Sequence, residues 1–239
     1  MEDYVPFCGA PPLPEELWIR WTLDPYLLAG LALTALAGLR FTQDRKRFLA
    51  AWSLAAVLFI SPLCAASMAL FSARVGQHIL LTLVAAPILA AALPRIRLPA
   101  LPFAALFAVL FWGWHAPVPY QATLDSDLIY WAMHLSLFGT ATVLFAAMRA
   151  RPHRALGAAA LTGAQLTIYA TLLTLADVAW HDWHLATTQP YGLSPLGDQQ
   201  FAGAMMWVAG GLLFLTFIAS LTARFLRENA PEPRRSDAS

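Results

Sequence analysis

Apolar runs of bilayer length alternate with short polar connections along this chain. Seven such runs are legible, at 24–41, 48–67, 71–93, 98–114, 127–148, 156–179 and 201–225. Each approaches or exceeds the roughly 20 residues a helix needs to cross a bilayer, the fourth being the shortest. The pattern predicts an all-α, polytopic membrane helix bundle with seven transmembrane helices. Residues 1–23 read as an outer tail, 24–227 as the transmembrane domain and 228–239 as a disordered cytoplasmic tail. The stretch 61–94 organises the rest. It is apolar enough to lie in lipid, yet it carries Arg74, Gln77 and His78, and polar groups at membrane depth are costly and mark function. Pro62 and Pro87 each remove a backbone donor and predict a kink or an end in helices two and three. Almost no loop separates those two helices, which predicts a tight hairpin.

The connections differ in charge from one side to the other. Arg40, Arg45, Lys46 and Arg47 lie between helices one and two, Arg95 and Arg97 between three and four, and Arg149, Arg151 and Arg154 between five and six. Arg224, Arg227, Arg234 and Arg235 close the seventh helix or follow it. These thirteen share one side, and of the fifteen basic residues only Arg20 and Arg74 fall on the other. The positive-inside rule makes the thirteen cytoplasmic. The N-terminus is then outside and the C-terminus inside, as an odd number of spans requires. The acidic, Pro-rich opening is unlike a cleavable signal peptide, which is basic and then apolar.

Composition agrees with this reading. Of 239 residues, 59% are hydrophobic and 12% charged, half the charged share of soluble domains. A net charge of +1 gives no basis for nucleic-acid binding. Two cysteines, Cys8 and Cys64, exclude a disulfide framework and permit one bridge or two separate thiols.

Placing the histidines on this topology gathers them on one side. His78 and His134 fall in the outer half of helices three and five, and His115 closes helix four at the outer surface. His181 and His184 follow the outer end of helix six, and His153 alone is cytoplasmic, a solvated residue of a basic loop. Cys8, Cys64, Met68, Asp198, Met205 and Met206 share the outer side. Asp177, His181 and His184, spaced i, i+4, i+7, would share a face if helix six continued. Imidazole suits copper, zinc and iron, while thiolate and thioether select Cu(I). The collection reads as an external metal site, with copper the expected ion. Each residue also has a plainer role. A histidine can bond a helix carbonyl, Trp180 and Trp183 can set His181 and His184 at an aromatic belt, and Met205 and Met206 can be packing. Arg74 can snorkel or neutralise Asp198 or Asp177. No G-x-S-x-G, H-E-x-x-H or phosphate loop is present, so no enzyme is expected.

Several segments resemble one family, the multi-span cytochrome c oxidase assembly factor CtaG of the Bacillus type. They are Trp21-x-x-Asp24-Pro25, Ser61-Pro62-Leu63, residues 71–94, WGWHAPVPY at 112–120, the surroundings of His134, and GDQQFAGAMMWVAGG at 197–211. The resemblance covers nearly the whole chain in order. It implies maturation of a haem–copper oxidase in the bacterial inner (plasma) membrane, a part in forming the copper site of the catalytic subunit, and site positions at His78, His115, His134, Asp198 and Gln199. Members often carry histidine where this chain has Arg74, so a helix-three histidine pair is absent and a site must be assembled across helices.

The expected function is therefore an oxidase assembly factor that binds or relays copper on the outer side. Cys8 would capture Cu(I) from a periplasmic donor, and His78, His115 and His134 would hold it for the oxidase catalytic subunit. Other readings are a membrane haem protein with His78 and His134 as axial ligands, a metal-dependent enzyme near Asp177, His181 and His184, and a metal-free assembly scaffold.

Overall fold

The computed structural model describes residues 4–95 and 97–228, and regular structure among them is helical throughout. The tail at 229–239 and the His153 side chain, expected to be disordered and solvated, lie outside the described residues. The helices are α1 (Pro25–Phe41), α2 (Arg45–Ile60), α3 (Pro62–Ala69), α4 (Phe71–Ala92), α5 (Ala100–His115), α6 (Pro117–Ala122), α7 (Asp127–Ala150), α8 (Leu156–Leu175) and α9 (Pro195–Arg227). Four of them, α4, α7, α8 and α9, are long and apolar enough to cross a membrane. The pair α2–α3, bent by 52°, adds a fifth if taken as one span, and α1 and α5 are apolar but shorter.

Local sequence sets the helix starts. Asp24 accepts from the Leu27 amide at 2.8 Å and Pro25 opens α1; Ser194 accepts from the Gly197 amide at 3.0 Å and Pro195 opens α9. A short polar cap followed by proline satisfies one orphan amide and removes another. Ser61 and Pro62 begin α3 in the same order, and the 52° bend falls there. Pro87 does not end its helix. The chain widens to a π segment over Leu80–Ala85 just before it, with the Ala86 amide bonding the Leu81 carbonyl five residues back. A second π segment, Met206–Gly210, interrupts α9.

Helix α4 is the hub. Of its span, 61% is buried, against 44%, 33% and 22% for α7, α8 and α9. It packs against α2, α3, α7 and α9, while α5 lies between α7 and α8. Residues 61–94 are thus central, as their mixed polarity predicts.

Two boundaries differ from expectation. Helix α8 ends at Leu175, where Ala176 turns extended, rather than running to 179. Asp177 is exposed, and His181 and His184 lie on and beside a 3₁₀ turn (Asp182–Leu185), so the three share no helical face. Helix α9 begins at Pro195 rather than 201, which puts Asp198 and Gln199 in its first turns and Met205–Met206 well inside it. The N-terminal segment is not a free tail. Cys8 is buried and disulfide-bonded to Cys64 of α3, Phe7 packs on Tyr130 and Trp131, and the Tyr4 hydroxyl donates to Asp127 at 2.5 Å.

Candidate functional site

Three of the expected residues meet. His78 projects from the middle of α4 between His115, which closes α5, and His134, two turns into α7. His78 Nδ1 lies 3.3 Å from His115 Nε2, and His78 Nε2 lies 3.3 Å from His134 Nε2. All three rings are buried. The outer two are oriented by their own helices. His115 Nδ1 donates to the Phe111 carbonyl at 2.7 Å and His134 Nδ1 to the Tyr130 carbonyl at 2.9 Å, each one turn back. Those bonds assign both as Nδ1–H tautomers, so both Nε2 lone pairs face His78. A neutral His78 has one N–H and can satisfy only one of them. The trio therefore presents more lone pairs than protons, the condition under which imidazoles accept a cation.

These rings form a chain with His78 in the middle. Among the described residues, no three His, Cys, Asp or Glu side chains surround a common point as ready metal ligands. The chemistry of the donor set fits a soft or borderline ion, since three neutral imidazoles supply nitrogens and no carboxylate competes. A haem plane does not fit between His78 and His134 in this packing, because their Nε2 atoms are in direct contact.

A cavity of about 530 Å³ adjoins the trio. His78, His115 and Met206 line it, together with residues of both π segments, Thr82 and Leu83 on α4 and Trp207 and Gly210 on α9. π segments often accompany functional sites because they redirect side chains without ending the helix. Met206 thus lines the same cavity as His78 and His115, whereas Met205 packs against Gly76.

The remaining expected ligands have other partners. Asp198 is fully buried. It accepts from the Phe71 amide at 2.7 Å, from the Ser72 amide at 3.3 Å, and from the Ser72 hydroxyl. Leu70 offers α4 no side-chain cap, so α9 supplies one with the charge sign its N-terminus favours. Gln199 accepts from the Trp180 amide at 2.8 Å and donates to the Val178 carbonyl at 3.1 Å, fastening the connection after α8. His184 donates from Nδ1 to the Ala69 carbonyl, and its Nε2 lies 2.6 Å from the Tyr120 hydroxyl. His181 stacks on Tyr120 at 4.0 Å, with neither ring nitrogen hydrogen-bonded. Burial lowers both side chains to about 3, so they are neutral at ordinary pH. Trp183 Nε1 donates to the Met68 carbonyl, which ties this turn to α3. Cys8 and Cys64 hold one another, so Cys8 is no open thiol in this state.

Sequence reasoning missed the tyrosines. Tyr130 lies 3.3 Å from Cys8 Sγ through its hydroxyl and packs tilted against His134 with ring centres 4.2 Å apart, linking the disulfide to the trio. Tyr120 joins His181, His184 and Arg74. Their signals were present as Tyr130 at i−4 from His134 and as the last residue of WHAPVPY.

No curated protein matches the chain, and no solved structure does. A family model described as cytochrome c oxidase caa3 assembly factor (Caa3_CtaG) matches residues 98–228, more than half of the chain. The match takes in His115, Tyr120, His134, His181, His184 and Asp198, while His78 is brought to them by α4 from outside it. The chain therefore belongs to the cytochrome c oxidase caa3 assembly factor family.

Proposed function

We propose that this assembly factor holds copper transiently at His78, His115 and His134 and delivers it to the catalytic subunit of a haem–copper oxidase. The observation that carries the reading is the pair of 3.3 Å nitrogen–nitrogen contacts on His78, with both flanking tautomers fixed so that lone pairs face inward. Copper here is cargo rather than a resident cofactor, and the role is transfer, not catalysis. Three imidazoles that are not preset around one point bind less tightly than a closed site, which suits release. Met206 lines the same cavity as His78 and His115 and offers it a soft thioether.

Seven spans, with the N-terminus outside a bacterial inner membrane, complete the reading. The four long helices, the bent pair and the two shorter apolar helices supply seven crossings, and thirteen basic residues mark the cytoplasmic side. Donation then comes from the periplasm. The structure shifts one part of this picture. With Cys8 tied to Cys64, capture from a periplasmic donor falls to the histidines themselves, unless the bridge is first reduced.

The test is Cu(I) stoichiometry of the detergent-purified protein. We expect about one Cu(I) per chain, lost in the triple variant H78A/H115A/H134A while its folded elution profile is kept. Equal copper in the triple variant would refute the reading and leave a metal-free scaffold.

A further inference from the structure

Arg74 is the one large charged side chain buried at the centre of the described structure, 1% exposed, one helical turn from His78 on α4. None of its three nitrogens has a hydrogen-bond partner. Its surroundings are aromatic. The guanidinium carbon sits 4.7 Å from the Tyr120 ring centre and 5.8 Å from that of Tyr130, and faces of this kind attract a cation without neutralising it. The nearby buried carboxylate, Asp198, already serves the amides of Phe71 and Ser72, and no ion pair to Arg74 is found among the described residues. Guanidinium is always charged in proteins. A fixed positive charge with no ion-pair partner among the described residues therefore stands beside three imidazoles.

We infer that Arg74 makes the histidine trio discriminate by ionic charge, admitting a monovalent soft cation such as Cu(I) and disfavouring divalent ions such as Zn(II) or Cu(II). This rests on the reading of the trio as the copper-holding group. The Arg74–Tyr130 contact of 5.8 Å and the Tyr130–His134 contact of 4.2 Å, laid end to end, put the guanidinium no more than 10 Å from the His134 ring. At an effective dielectric of about 20, a unit charge at about 8–10 Å changes binding of another unit charge roughly fifteen- to thirty-fold. A monovalent ion meets that penalty once and a divalent ion twice. The imidazoles alone carry no such preference, because nitrogen ligands bind zinc and copper alike.

The experiment measures Cu(I) affinity against a competing Cu(I) chelator, and Zn(II) affinity against a fluorescent zinc chelator. Wild type, R74Q, R74K and the triple variant H78A/H115A/H134A are compared as full-length protein in detergent. We expect wild type to prefer Cu(I), R74Q to lower the Cu(I)-to-Zn(II) preference by about fifteen- to thirty-fold, and R74K to keep it. An unchanged ratio in a folded R74Q that still binds Cu(I) through the histidines overturns this inference alone. Cu(I) binding that survives in the triple variant overturns the underlying site and the inference with it. If R74Q does not fold, wild type decides: a trio that takes Zn(II) as tightly as Cu(I) refutes charge discrimination.

Discussion

Replacing Asp198 separates two roles that its sequence position allows, metal ligand and helix cap. In the structure its carboxylate accepts from the Phe71 amide at 2.7 Å, from the Ser72 amide at 3.3 Å and from the Ser72 hydroxyl, all at the first turn of α4 and all buried. D198A strands two buried amide donors, while the hydroxyl can turn to another acceptor. Each stranded donor costs about 1–3 kcal/mol, and losing the negative charge at the helix N-terminus adds about 0.3–1 kcal/mol. The sum is about 2–7 kcal/mol. D198N keeps one acceptor oxygen and should cost about half as much. For a chain of this size, 1 kcal/mol moves the midpoint by about 2–4 °C, so D198A should lower Tm by roughly 5–28 °C and D198N by less. Intrinsic tryptophan fluorescence during thermal unfolding in detergent reads both, and Cu(I) stoichiometry is measured on the same samples below their midpoints. The cap role predicts a large loss of stability with near-normal copper loading. An unchanged Tm accompanied by lost copper binding would refute it and make Asp198 a ligand.

Three further outcomes follow from particular contacts. Maleimide should label no thiols in the unfolded, unreduced protein and two after reduction, and C8S/C64S should lose about 2–4 kcal/mol of stability by releasing a loop of 56 residues; labelling without reductant would refute the bridge. His181 and His184 are held to about 3 in the folded chain but titrate near 6.5 when unfolded. The unfolded state then binds more protons between those values, so stability falls as pH drops from about 6.5 towards 3, by up to about 1.4 kcal/mol per unit for each histidine. H181N/H184N should show a shallower fall of Tm with acid over that window, and an identical slope would count against their burial. Gly203→Ala places a methyl against the Ala170 carbonyl and the Thr174 amide and hydroxyl of α8, and should cost about 1–3 kcal/mol in the same unfolding assay.

The helices were legible because apolar length and charge asymmetry are one-dimensional signals. The cap-and-proline starts at Asp24–Pro25 and Ser194–Pro195 were equally readable from local chemistry, although the second went unused and α9 was placed to begin six residues late. Joining His78, His115 and His134 as one group needed only a common depth on three neighbouring helices, which topology supplied. What the sequence left open or missed is set by packing between distant segments. The end of α8 at Leu175 dissolves the Asp177–His181–His184 face, and no local break such as Pro or Gly marks it. The cap role of Asp198 is hidden in sequence because its hydrogen-bond partners, the amides of Phe71 and Ser72, lie 127 and 126 residues away. Cys8 and Cys64, 56 residues apart, pair only because the N-terminal segment folds back over α7, where Phe7 and Tyr4 find partners.

The protonation state of the trio gives a test that no substitution disturbs. Metal ligands must shed their protons, so loading releases as many protons as the ligands carried at their metal-facing atoms. Here His115 and His134 keep their Nδ1 protons on the Phe111 and Tyr130 carbonyls and offer bare Nε2 atoms. His78, if neutral, offers one bare nitrogen as well and gives up nothing. The sulfurs of Cys8 and Cys64 are in a disulfide and carry no protons to release. Cu(I) loading near pH 7 should therefore release close to zero protons per ion, recorded with an indicator dye in weakly buffered detergent. A thiol ligand would release up to about one proton for each sulfur, as would a His78 that is imidazolium in the free protein. Release of one proton or more would refute the neutral trio. Repeating the titration after alkylation of reduced cysteines would then separate the two causes: release that persists belongs to His78, and release that disappears belongs to the thiols.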